Sequence, residues 1–385
     1  MKTDTMRRID RLAGSPLCHV FAAIKGAFEK PAAKNAPVVV CKFFGMGSIC
    51  LAYPLLRKLR AADRRVVFLS FAANAPILDH LGIEERIVID PSSAVRFFAS
   101  VMAATLALRR IGPAVFLNLE FFSRFAALMS VLSGAGTRAG FHIVHLPVGK
   151  LYTQRANLNV YRHIAENFLN VGIAAGVIAE AATQAALFRE FPVPEDTLPG
   201  LPDGPYIVLN GESSETLRDL KSWPREAWRE LIAGLRRQYP AHSVVLLGTS
   251  AAADVYGGIA GMTEADTGLV NMIGKTAVAD LLKVIAKADV VITVDSGPLH
   301  MSAMMKRPTV CLFGPESPHL YGHAVAWVRT LYKGLHCSPC LALYDAKQSV
   351  LNCRDNQCMQ QIAVGEVLEA VSELLPSAKR PARAS

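Results

Sequence analysis

Apolar positions along the chain gather into short runs separated by breaks that carry glycine and proline. One of these lies late in the sequence. Val290-Val291-Ile292-Thr293-Val294 is a β-branched run, which predicts a strand buried on both faces. It stops at Asp295-Ser296-Gly297-Pro298, which cannot continue a strand and suits a helix start. Ser296 or Asp295 can cap that helix, and Pro298 fits its first turn. Leu299, Met301, Ala303 and Met304 then give an apolar helical face. A strand that turns through glycine into a helix N-terminus leaves free backbone N–H groups at the positive end of the helix dipole. That setting suits a phosphate. The same residues also fit an ordinary turn between strand and helix in a parallel sheet.

The same punctuation recurs from the start. Residues 38–43 read as a strand running into Phe44-Gly45-Met46-Gly47-Ser48, then a helix beginning near Ile49 that holds Pro54, Leu55, Leu56 and Leu59. Further strands are predicted at 65–71, 86–89 and 114–119, with helices at 75–81 and 94–110 between them. This alternation predicts a parallel sheet with crossover helices. The helix over 94–110 is very apolar, with Phe97, Phe98, Val101, Met102, Leu106 and Leu108, and is expected to be buried in its domain rather than to face lipid. Residues 186–204 carry Pro192, Pro194, Pro199 and Pro202 and read as a linker. Strands at 205–211, 243–247 and 309–313 then open and continue a second α/β domain. The expected division is 1–37 (amphipathic segment and linker), 38–185, 186–204, 205–362 and 363–385 (C-terminal helix and tail).

Composition narrows the partners. The chain has 385 residues, 51% of them hydrophobic, enough for two cored domains. Its net charge of +9 favours an anionic partner: nucleic acid, a membrane surface or a phosphorylated ligand. No nucleic-acid motif is present, so nucleic acid is not expected. No apolar run reaches the length of a bilayer, and the N-terminus lacks a continuous apolar leader core, so a cytoplasmic protein is expected. Arg7, Arg8, Arg11 and the stretch 17–28 fit a helix packed on the first domain or one lying peripherally on the inner membrane; the first is expected.

Candidate chemistry sits at strand ends. The buried run 114–119 ends at Glu120, with Arg124 one helical turn on. In open α/β sheets ligands bind beyond the carboxyl ends of strands, so Glu120 either points to a ligand cleft or caps the next helix. Arg124 is placed to steady it or to hold an anion. Four of the eight cysteines are clustered: Cys337-x2-Cys340-x12-Cys353-x4-Cys358. This spacing suits four thiolates on zinc or iron, structural in role; disulfides and free thiols remain alternatives. Cys18, Cys41, Cys50 and Cys311 read as core thiols.

The segment Asp295-Ser296-Gly297-Pro298-Leu299-His300, followed by Pro308 and Leu312-Phe313-Gly314-Pro315, resembles the signature of glycosyltransferase family 9, the heptosyltransferase family. Lys221-Ser222-Trp223-Pro224, preceded by Ser213 and Ser214, resembles its second element, and Asn271 to Thr276 a third. The resemblance runs over about 38–372. It implies the GT-B fold, two Rossmann-like domains with parallel sheets facing across a cleft, and inverting sugar transfer with no organic cofactor. It implies a nucleotide sugar, above all ADP-heptose, at Ser213, Ser214, Lys221, Lys275, Asp295, Ser296, Gly297 and His300. Asp254 is the nearest acidic residue to the family's ribose-binding position. The acceptor implied is an anionic lipopolysaccharide-core glycolipid, with Gly47, Arg124, Arg138 and His163 on its side. Cys337-Ser338-Pro339-Cys340 and Cys358-Met359 also match the family, whose autotransporter branch glycosylates protein and holds iron in a comparable cluster. The chain departs from the family at Ser48, which replaces the usual catalytic aspartate; a serine hydroxyl is not a useful base near neutral pH. Glu120 is therefore the expected base. A protein acceptor, or a degenerate member that binds without transfer, is the alternative.

Overall fold

The computed structural model describes residues 3–29, 36–180, 188, 190–214, 217–250, 255–256, 268–341, 353 and 355–375. The chain divides into two compact units, Met1–Thr183 and Gln184–Ser385.

The first unit is built on six parallel strands: β1 (Val38–Cys41), β2 (Val66–Phe71), β3 (Arg86–Ile89), β4 (Val115–Asn118), β5 (Thr137–His142) and β6 (Gln154–Asn157). Their order is β3-β2-β1-β4-β5-β6, with β1 pairing Val38 to Val66 on one side and to Val115 on the other. The helices are α1 (Thr3–Ile24), α2 (Met46–Leu51), α3 (Tyr53–Ala61), α4 (Ala75–His80), α5 (Ala94–Ile111), α6 (Arg124–Leu132) and α7 (Ile164–Ala174). The helix expected near Ile49 begins earlier, at Met46, and breaks at Ala52 ahead of Pro54, which lacks an N–H and opens α3. Gly45 precedes α2 at φ 83°, a left-handed conformation that costs glycine little.

Three features bear on the sequence reading: the first and third depart from it, and the second fits it. Residues 134–147, among which the apolar pattern marks no strand, carry β5. Its charged residue Arg138 is wholly buried: Nε donates to the Leu151 carbonyl, Nη1 to that of Ala135 and Nη2 to Glu29. Next to it, the ring of Tyr152 lies where a side chain on Gly140 would stand, 2.5 Å from an added Cβ. Second, α1 runs through Pro16 and docks on α6: Asp10 accepts from the backbone N–H groups of Phe125 (2.7 Å) and Arg124 (3.2 Å), serving the open N-terminus of α6. Third, α5 is not a buried helix. Only Ala104 and Leu108 are buried, while Val95, Phe98, Met102 and Leu106 are exposed. Its inward face, with Ala126 and Met129 of α6 and Met6 of α1, covers one face of the sheet through Val39, Val67, Leu69 and Phe116.

The second unit repeats the plan with β7 (Tyr206–Asn210), β8 (Ser243–Leu247), β9 (Leu269–Asn271), β10 (Val290–Val294), β11 (Thr309–Phe313) and β12 (Val328–Tyr332), ordered β12-β11-β10-β7-β8-β9, all parallel. β10 is buried at every position, as its β-branched run predicted. The core cluster on one face joins β7, β8, β10 and β11 to Trp223, Trp228 and the helix Val364–Leu374. Among the described residues, no helix is long and apolar enough to cross a membrane.

Candidate active site

The turns that leave the carboxyl ends of β7, β10 and β11 converge on one buried lysine. Lys221, at the end of the short helix Arg218–Lys221, lies 2.5 Å from Asp295 Oδ2 and 3.8 Å from Glu316 Oε2. Asp295 follows β10 and Glu316 follows β11, so strand register sets both carboxylates. Ser296, at the N-cap of the helix Gly297–Met304, makes no side-chain cap bond, contrary to expectation. Asp295 is turned to Lys221. The Ser296 hydroxyl accepts from Asn210 Nδ2 (3.0 Å) and meets Thr293 Oγ1 (3.2 Å), with no bond to the helix. The helix start beside Lys221 thus receives no cap from the Ser296 side chain, and Gly297 opens it without a Cβ.

His300 lies one turn into that helix. Burial pushes its imidazole down to about 4, and Lys221 adds to the depression while Asp295 opposes it, so the ring is neutral near pH 7. Its Nδ1 is 3.0 Å from His323 Nε2, one of the two donating. Beyond β7, Ser213 is buried with no hydrogen-bond partner for its hydroxyl among the described residues, and Ser214 is exposed. Glu212 was not anticipated. It accepts from the backbone N–H (2.6 Å) and hydroxyl (2.8 Å) of Thr249 and pairs with Arg218 at 3.0 Å, tying the turns after β7 and β8 together. Lys275 is exposed just past β9. Asp254 lies outside the described residues.

In the first unit, Glu120 follows β4 and is buried. Its Oε1 accepts from Lys42 Nζ (2.8 Å) and from the backbone N–H groups of Phe43 (2.7 Å) and Phe44 (2.9 Å). It therefore fixes the turn that leads to Gly47 and Ser48. Arg124 does not steady it as expected: that guanidinium donates to Ser15 and pairs with Asp10, holding α1. Lys42, inside the first strand–turn, is the cation instead. Arg138 is corrected as well, since a fully buried guanidinium spent on carbonyls and Glu29 presents nothing to an acceptor. His163 is buried at the N-cap of α7, where Nδ1 accepts from the Ala165 N–H, and Ser48 is half-buried on α2.

The cysteine segment packs on the turn after β11: Cys340 N–H donates to the Pro315 carbonyl, and Cys358 Sγ is 3.0 Å from a Cβ added at Gly314. Burial, with Cys340, Cys353 and Cys337 nearby, pushes the Cys358 thiol up to about 11, and burial also raises that of Cys340. Among the described residues no three Cys, His, Asp or Glu side chains are grouped to hold a metal, so the zinc or iron expectation is not supported, and the four cysteines are free thiols.

Comparison with known proteins bears on the family and the fold. The model of glycosyltransferase family 9 (heptosyltransferase) matches residues 125–350. Lipooligosaccharide heptosyltransferase 2 of Campylobacter jejuni is 30% identical over 118 residues, 30% of this chain and 34% of that protein. Lipopolysaccharide heptosyltransferase 1 of Escherichia coli is 30% identical over 143 residues, 34% of this chain and 40% of that one. The chain thus spans about a third to two fifths of the length of the curated relatives it matches. The solved structure of Escherichia coli ADP-heptose lps heptosyltransferase II superposes with a TM-score of 0.66 at 18% identity, covering 88% of this chain and 98% of that one, a likeness of fold. With the family model matching more than half its residues, the chain belongs to glycosyltransferase family 9, the heptosyltransferases.

Proposed function

We propose that the chain transfers a sugar, heptose in the first instance, from a nucleotide-activated donor to a sugar of the lipopolysaccharide core, with inversion at the anomeric carbon. The observation that carries this reading is the buried Lys221 paired to Asp295 beside the start of the helix Gly297–Met304, which the Ser296 side chain leaves uncapped. A diphosphate there would take backbone N–H groups at Ser296 and Gly297, the charge of Lys221 and the hydroxyls of Ser213 and Ser214. Asp295 would hold Lys221 extended before the donor arrives. Neutral His300 would offer one N–H to the leaving phosphate without adding charge, and exposed Lys275 would sit toward the nucleoside. On the acceptor side, Glu120 takes the proton of the attacking hydroxyl, and Ser48, Gly47 and His163 shape the neighbouring loops. The donor is ADP-heptose and the acceptor an anionic glycolipid, as the +9 charge favours, with the enzyme in the cytoplasm.

The test is incubation of the pure protein with ADP-heptose and heptose-deficient lipopolysaccharide. A mass gain of one heptose supports transfer, and its absence with every nucleotide sugar tried overturns it. A second reading, donor binding without transfer, is favoured by Ser48 and by the engagement of Glu120 Oε1 in three hydrogen bonds. A donor-induced thermal shift with no product would select it.

A further inference from the structure

His300 and His323 meet inside the second unit, His300 Nδ1 lying 3.0 Å from His323 Nε2 with both rings buried. His300 stands in the helix that follows β10, and His323 in the connection from β11 to β12. That connection holds its histidine from several sides. The Gly322 N–H donates to the Pro318 carbonyl at 2.9 Å, and a Cβ added at Gly322 would stand 2.5 Å from the same oxygen, so the chain turns tightly just before His323. Just beyond it, Trp327 Nε1 donates to the Ala303 carbonyl (2.8 Å), which pins the connection to the helix that carries His300. The Phe188 ring meets His323 edge-on at 5.0 Å. The two imidazoles are thereby kept at 5.2 Å between ring centres and 71° between planes.

Chemistry narrows what so fixed a pair can do. A neutral imidazole carries one proton, and the hydrogen bond made by one ring nitrogen decides which nitrogen holds it. His300 is neutral near pH 7, because burial opposes its charged form. Two arrangements satisfy the 3.0 Å contact. If His300 Nδ1 donates, its Nε2 is left with a bare lone pair. If His323 Nε2 donates, His300 Nδ1 accepts and the His300 proton sits on Nε2. A phosphate oxygen only accepts. The first arrangement would set lone pair against lone pair, and the second offers a hydrogen bond to a charged group. Lys221 already brings a cation near His300, so a correctly placed neutral N–H is what this ring adds.

We propose that His323 is a positioning residue of the donor site: its Nε2–H donates to His300 Nδ1 and so holds the His300 proton on Nε2, where it meets the diphosphate of the nucleotide sugar. This role rests on the donor reading of Lys221 and His300, but the tautomer is set before any ligand arrives and is read without transfer. The full chain is isotope-labelled at its histidine ring nitrogens, and the His300 signals are assigned by their loss in His300→Asn. Nitrogen shifts then separate a protonated ring nitrogen from a bare one. Ligand-free wild type should carry the His300 proton on Nε2, and His323→Gln, whose amide N–H can donate in place of the ring, should keep it there. His323→Phe fills the space without a donor. It should let the proton move to Nδ1 or divide between the two nitrogens, and should weaken ADP binding about tenfold in a calorimetric titration. His323→Gln should recover most of that affinity, which a purely structural role of the ring does not require. A His300 proton on Nδ1 in wild type overturns the proposal, as does an unchanged tautomer and ADP affinity in His323→Phe. The expected tautomer and ADP affinities in a chain that transfers no sugar support the proposal and remove only the transferase reading. No affinity of wild type for ADP overturns both.

Discussion

Lys42 and Glu120 form a buried ion pair 2.8 Å long, side chains 4% and 8% exposed, directly beneath the turn that carries Gly47 and Ser48. The same carboxylate oxygen takes two backbone N–H groups of that turn, so one residue both balances the lysine and sets the loop. Any change at Glu120 therefore has a structural effect as well as a chemical one.

Glu120→Gln keeps the volume but leaves Lys42 uncompensated, which costs about 3–5 kcal/mol for a buried pair broken from one side. Turnover should fall about a hundredfold or more if Glu120 is the base. The double variant Lys42→Met/Glu120→Gln separates the two effects. It should recover much of the melting temperature and none of the turnover. Near-native turnover in the double variant would remove Glu120 from the chemistry. Ser48→Ala should cost far less than either.

Lys221→Ala should weaken binding of ADP-heptose by about 1.5–3 kcal/mol, the range for a hydrogen bond to a charged group. Calorimetric titration reads this directly, and an unchanged affinity would take Lys221 out of the donor site.

His300 gives a pH dependence of stability. Its folded-state value, about 4, lies below the ordinary imidazole value of 6.5. The unfolded chain therefore takes up a proton that the folded chain refuses. The stability this costs is absent above 6.5 and grows as pH falls from 6.5 toward 4. The full effect is on the order of 3 kcal/mol. Urea unfolding across this window should show a smaller slope for His300→Asn than for wild type; equal slopes would refute the assignment.

Gly140→Ala should destabilise the first unit by about 1–3 kcal/mol through overpacking, because its Cβ would stand 2.5 Å from the Tyr152 ring. Thermal unfolding checks this, and a companion Tyr152→Leu should relieve part of the loss.

Much of the second unit could be read ahead because its chemistry and its pattern coincide. The β-branched run Val290–Val294 is legible as a buried strand, and the residues that stop it are the ones the site uses. β5 was hidden because Arg138 and Gly140 break the apolar run, and only the tertiary partners of Arg138 explain its burial. α5 was misjudged because apolar content alone does not distinguish a helix with one buried face from one buried all round. Glu212, Glu316 and His323 went unnoticed for a different reason. Each acquires its place from strands far apart in sequence, and no local spacing marks them.

In both units the first strand made is a central one: β1 waits for β4, and β7 for β10. During synthesis, β1 has β2 on one side and nothing on the other until the chain has been extended through Asn118, and β7 waits likewise for Val290. Each half of the protein therefore passes through a stage in which a largely apolar strand offers an open edge, the arrangement most prone to pairing with another nascent chain. Fragments ending between β3 and β4, or between β9 and β10, would be frozen at that stage and should aggregate. Cuts near residue 183 leave all six strands of each sheet together.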